Sequence, residues 1–158
     1  MSDTKQQAAA WMNLQQASRV IDGRLEERIR EAAGLSLAEY ETLFRLKLAS
    51  SHPPQMSEVA DLLINSASGM TRIADRLARS GLVARETPEG NRRVVLLRLT
   101  DRGSEVLEKA DRAFSEALDD LFASHLTEAE LTDLRRLMRK LLESNGAWTA
   151  ARCLPGET

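Results

Sequence analysis

Apolar side chains in the first fifth of the chain recur at three- and four-residue steps. Ala8, Trp11, Leu14, Ala17, Ile21, Leu25, Ile29 and Ala32 form one stripe between Lys5 and Ala33, which predicts a long amphipathic helix. Gly34 supplies a C-terminal stop. Ser36 and Glu39 spell a capping box for a second helix whose apolar face is Leu37, Tyr40, Leu43, Phe44 and Leu48. Pro53-Pro54 forbids helix beyond it. Ser57 then caps a short helix to about Leu63, with Val59, Ala60, Leu62 and Leu63 turned inward. After a turn at Asn65, Ser66 or Ser68 caps another to Ser80, stopped by Gly81. Met70, Ile73, Ala74 and Leu77 form its inner stripe; Ser68, Thr71, Arg72, Asp75, Arg76 and Arg79 form its outer face. Two short helices around a tight turn, the second polar and basic outward, make a helix-turn-helix pattern.

The period then changes from helix to strand. Leu82–Thr87 and Arg93–Leu99 are runs of strand length around the turn Pro88-Glu89-Gly90-Asn91-Arg92, which predicts a β-hairpin with a basic tip. Thr100 caps a long helix to about Ser124, with the stripe Val106, Leu107, Ala110, Phe114, Leu118, Leu121 and Phe122. Thr127 and Glu130 make a second capping box. The helix that follows carries Leu131, Leu134, Leu137, Met138, Leu141 and Leu142, and ends at Asn145-Gly146. The stretch 147–158 has no period and reads as a loose tail. The fold class is therefore mostly α with a small β-hairpin. A winged helix-turn-helix lobe at 36–100 is flanked by long helices at 5–34 and 101–145, in a single domain spanning 1–158. The stripes of the outer helices have little to pack against in one chain. Leaving them in water would cost roughly 25 cal/mol per Å², so they predict a two-fold homodimer joined by its terminal helices.

Composition changes the picture in one place. Net charge is −2, which at first argues against nucleic acid. Residues 1–55 are balanced at seven basic and seven acidic, and residues 104–158 are acidic at seven against eleven. Between them, eight cations face six acids, and all eight are arginine, from Arg72 to Arg102. Arginine suits bidentate contacts with phosphate and guanine, whereas a solvated charged face would place no demand on type. No run is long and apolar enough for a membrane span, and the N-terminus lacks the pattern of a secretory leader. With one cysteine, Cys153, these features lead us to expect a cytoplasmic protein.

Four stretches in this order resemble the MarR (multiple-antibiotic-resistance regulator) family of winged helix-turn-helix transcriptional regulators. Leu35–Leu43 resembles the helix before the reading head, and Met56–Leu63 the first helix of the helix-turn-helix. Ser68–Leu77 with Gly81-Leu82-Val83 is similar to the recognition helix and the entry to the wing. The most specific is Asn91–Gly103, which resembles the pattern Asp-x-Arg-x-x-x-apolar-x-Leu-Thr-x-x-Gly. The resemblance implies a homodimeric repressor that binds a pseudo-palindromic operator in double-stranded DNA and is released by a small aromatic effector. Asn91 departs from the pattern: the family's aspartate helps orient the wing arginine, so Asn91 is expected to hold Arg93 less firmly.

The candidate DNA contacts are Ser66, Ser68, Thr71, Arg72 and Arg76 on the recognition helix, with Arg92 and Arg93 at the wing. Trp11, Met12, Tyr40 and Phe44 are either an effector pocket or ordinary packing. His52 and His125 stand alone, without metal-ligand spacing, and Cys153 lacks a reactive setting, so no metal or cofactor is expected. No catalytic constellation appears. The rival function is a winged helix that binds a protein partner instead of DNA.

Overall fold

The computed structural model describes residues 3–49, 51–63, 67–91 and 93–149. Helix α1 runs Thr4–Ala33, α2 Leu37–Leu48, α3 Met56–Leu62 and α4 Ala67–Arg79; strands β1 Val83–Glu86 and β2 Leu96–Leu99 follow, then α5 Asp101–Leu121 and α6 Glu128–Ser144. Local chemistry sets most of these boundaries. Gly34 turns α1 off in the left-handed conformation, φ 71°, and its N–H bonds Arg30 O at 2.9 Å. Ser36 Oγ accepts the Glu39 N–H while the Glu39 carboxylate accepts the Ser36 N–H, closing the expected box. Thr127 and Glu130 repeat it at α6. Gly81, φ 71°, ends the segment after α4, and the Leu82 N–H reaches back to Leu77 O at 2.9 Å.

The core lies between α1, α2, α5 and the winged lobe. Ile29, Leu43, Leu46, Val59, Met70, Leu77, Leu97 and Leu107 are closed to solvent within it. The four inward positions predicted on α4, Met70, Ile73, Ala74 and Leu77, are all buried. Thr100 clamps the lobe to α5. Its Oγ donates to Gly81 O at 2.7 Å and accepts the Gly103 N–H at 3.0 Å, and its own N–H reaches Leu82 O at 3.1 Å. The chain passes so close to α5 here that a Cβ on Gly103 would lie 2.0 Å from Leu82 O. Only glycine fits that approach.

Three expectations are corrected. The strands are shorter than the apolar runs, so nine residues, 87–95, join β1 to β2 and Arg93–Val95 lie outside the ladder. The reason lies at the tip: the next hydrogen-bonded pair in register would be Pro88 with Val94, proline has no N–H to give, and the Val94 N–H turns to Asn91 O at 3.3 Å. The other edge of β2 is taken by the segment before α3. Pro54 O accepts the Leu97 N–H at 3.0 Å, Val95 O accepts the Met56 N–H at 2.9 Å, and Gln55 forms a bridge opposite Leu96. The same docking starts α3 at Met56 with Gln55, not Ser57, as its cap, and Glu58 accepts the Gln55 N–H at 2.6 Å. Finally, α5 is not left bare: it packs most extensively on α1, burying Leu107, Ala110 and Ala117. Apart from Leu48 of α2, the large apolar side chains left exposed among the described residues lie on the N-terminal part of α1 and on α6, which has no buried residue. The segment after α6 is anchored at its start. The Ala147 N–H bonds Leu142 O at 2.8 Å, and the Arg139 guanidinium lies 4.4 Å over the Trp148 ring. No helix is long and apolar enough to cross a membrane among the described residues.

Candidate nucleic-acid interface

A side chain already paired within the protein has fewer hydrogen bonds left for a duplex, so the arginines sort by their partners. Arg85 on β1 reaches Asp75 of α4 at 2.7 Å and Thr71 O at 3.4 Å, which ties the wing to the recognition helix. Arg98 on β2 forms a two-pronged pair with Glu86 on β1, at 2.7 and 3.2 Å. That pairing holds the Glu86 carboxyl below its ordinary range. Arg79 turns back to Asp75 O at 3.3 Å. Arg76 donates from Nε to Glu39 Oε1 on α2 at 2.7 Å.

Arg72 and Arg93 are different. Both are exposed, and neither guanidinium meets an acceptor among the described residues. Arg72 stands on the outer face of α4 with Ser68, one turn earlier and also exposed. Thr71 is half-buried, its hydroxyl donating to Ala67 O at 2.9 Å. Arg102 belongs to the basic cluster but not to the candidate contacts expected from the sequence. It is a third exposed cation without such a partner, set against the turn at Gly81. Nothing in its spacing distinguishes it from the paired arginines; only the lack of an ion pair among the described residues does. Ser66 and Arg92 lie outside the described residues.

At the wing, the Asn91 N–H closes a turn onto Pro88 O at 3.2 Å, with Gly90 at φ 82°. Asn91 Oδ1 accepts the backbone N–H of Arg93 at 3.2 Å. The side chain at 91 therefore shapes the tip through the backbone and meets no part of the Arg93 guanidinium among the described residues, where the resemblance implied a weaker hold on Arg93 than an aspartate would give.

The four suggested effector residues do not converge within the chain. Tyr40 and Phe44 pack together, ring centroids 6.1 Å apart, and Phe114 of α5 lies 4.9 Å from Tyr40. Burial and the neighbouring Asp111, which Lys47 also contacts at 3.2 Å, push the Tyr40 hydroxyl well above its ordinary range. Trp11 and Met12 are 60% and 55% exposed. They precede the first buried position of α1, Leu25, by a helical distance of roughly 20 Å. His52 and His125 are exposed, and no group of three potential metal ligands occurs among the described residues. Cys153 lies outside them.

Comparison with known proteins agrees with this geometry. The model of the MarR family matches residues 35–95, from the start of α2 to the wing. The transcriptional repressor MprA of Escherichia coli is 30% identical over 125 residues, covering 79% of this chain and 69% of that protein. The transcriptional repressor MdtR of Bacillus subtilis is 32% identical over 114 residues, 72% of each. Among solved structures, Sco3205 of Streptomyces coelicolor, a MarR family regulator in complex with DNA, superposes with a TM-score of 0.83. It is 23% identical, over 95% of this chain and 96% of its own. These relatives place the chain among transcriptional regulators and outside the enzymes. With a winged lobe of this build, and repressors at this identity over most of its length, the chain belongs to the MarR family.

Proposed function

We propose that the protein is a homodimeric transcriptional repressor that reads a pseudo-palindromic operator through α4 and the wing. The observation that carries this is the division among the arginines. Arg76, Arg85 and Arg98 are neutralised by Glu39, Asp75 and Glu86, while Arg72 and Arg93 are exposed and uncommitted among the described residues. Phosphate and base edges are the partners such cations lack. The DNA complex of the fold neighbour and the repressor names of the two relatives point the same way.

Dimerisation is supported by the uncovered surface. An apolar groove of about 800 Å³ runs between α1 and α6, walled by Leu14, Ala17, Ile21, Leu131, Leu134 and Met138. Val20, Leu137, Leu141 and Leu142 are exposed on the same two helices. A second copy related by a two-fold axis covers both at once. An effector that releases the operator would act at the seam between α2 and α5. Parting Tyr40, Phe44 and Phe114 there shifts the reading head against the long helices.

Selection of bound sequences from random duplex DNA tests the reading. The enriched sites should be pseudo-palindromes with half-sites about one helical turn, roughly 34 Å, apart. Arg72→Ala should cost on the order of 1–3 kcal/mol and relax preference at one position per half-site. A protein-interaction module would enrich no sequence, and that result would overturn the proposal.

A further inference from the structure

Arg76 follows Arg72 by one turn of α4, yet its surroundings are unlike those of its neighbour. Its guanidinium is about half exposed, but the Glu39 carboxylate it meets is only 13% exposed. Both oxygens of that carboxylate are used: Oε1 accepts from Arg76 and Oε2 accepts the Ser36 N–H at 2.9 Å. The next backbone N–H, of Leu37, goes to Glu26 of α1 at 3.3 Å, and Glu26 in turn pairs with Arg30. The first turn of α2 is thus a junction at which α1, α2 and α4 meet through carboxylates. Burial alone would raise the Glu39 pKa, but the bonds from Arg76 and Ser36 outweigh it and hold the group below its ordinary value.

An isolated surface ion pair adds little stability, and most ion pairs here are of that kind. The Arg76–Glu39 pair has a different consequence, because it joins elements 37 residues apart and its acidic half is already fixed to backbone. The planar guanidinium engages through its Nε edge, which sets the direction of α4 as well as its distance from α2. The Nε–H bond leaves the terminal N–H groups of Arg76 unused by Glu39, but it holds the guanidinium toward α2, and a carboxylate released from it would have no other cation to balance it among the described residues.

We propose that Arg76 is a positioning residue, a strut between the recognition helix and the first turn of α2 that aims Arg72 without itself contacting DNA. This inference rests on the DNA-binding reading above. It separates from that reading by experiment, because Glu39→Gln removes the charge opposite Arg76 while glutamine still serves in a capping box.

The test uses the operator enriched by the unmodified protein, and compares Arg76→Ala, Glu39→Gln and the double variant across a salt series. Each single change should weaken binding about three- to tenfold, and the double change no further than the weaker single, because the two act through one contact. The slope of log affinity against log salt should stay at its original value, since no phosphate contact is lost. The inference is overturned if Arg76→Ala lowers that slope by about one per protomer while Glu39→Gln binds as well as before or better. It is equally overturned if all three bind unchanged. If the unmodified protein enriches no sequence, the DNA reading fails and this inference falls with it, an outcome none of the variants can mimic.

Discussion

Helix α1 behaves as two helices placed end to end. Its C-terminal part buries Leu25 and Ile29 against α5, while Trp11, Met12 and Val20 remain 55–60% exposed on its N-terminal part. The apolar stripe is continuous through both, so the difference lies in what stands opposite. A hydrophobic period identifies a face; a partner must be found elsewhere, in the same chain for one part and, in the proposed dimer, in a second copy for the other. The reading head repeats the contrast with charge. Arg85 and Arg98 are closed by acids of the same lobe, and Arg72 and Arg93 are open among the described residues.

The largest effect should come from the closed part of α1. Ile29→Ala removes a side chain with no solvent exposure, and thermal or denaturant unfolding should show a loss of about 2–5 kcal/mol. A loss below about 1 kcal/mol would mean that the packing against α5 is not what holds this part. The open surface should respond differently. Leu141→Glu, at a position 50% exposed in one chain, should leave the fold intact but weaken self-association by about 2–3 kcal/mol, as sedimentation would record. A tight dimer of that variant would move the interface away from α6.

In the reading head the open arginine should matter for DNA and the closed one should not. Arg93→Ala should weaken binding to every sequence and lower the salt slope by about one per protomer. Arg98→Ala should leave slope and melting temperature close to their original values, since its partner is the exposed Glu86. The smallest effect is one of pH. The Glu39 pKa is lowered from 4.5 in the folded protein, so its contribution to stability is present above that value and fades as pH falls through the lowered one. The stability difference between the unmodified protein and Glu39→Gln should therefore shrink at acid pH, and a difference constant from neutral into acid pH would show that the Glu39 charge has no part in it.

Much of this fold was legible because the decisive interactions are local. Gly34, the Ser36–Glu39 and Thr127–Glu130 boxes, the α4 stripe and the Thr100 cap on Gly103 all act within a few residues of themselves. What escaped the sequence reading comes from residues far apart. Pro54 and Gln55 dock on β2 some forty residues later, which moves the α3 cap. The candidate interface was legible as a cluster but not as a set of roles. Arg76 and Arg72 look alike in the chain, and only the return of Glu39 from α2 separates them. Trp148, in a stretch without period, gave no sign of its contact with Arg139.

That last contact has a use in the laboratory. The chain has two tryptophans, Trp11 near the free end of α1 and Trp148 against α6. The winged lobe has none, so intrinsic tryptophan emission reports on the long helices and is blind to events confined to α4 and the wing. Covering Trp11 should change it directly. Docking on a duplex should change it only when displacement of the lobe is carried along α1 and α5. A DNA titration followed by tryptophan emission, beside one followed by a label on the DNA, therefore separates local docking from motion transmitted through the whole molecule.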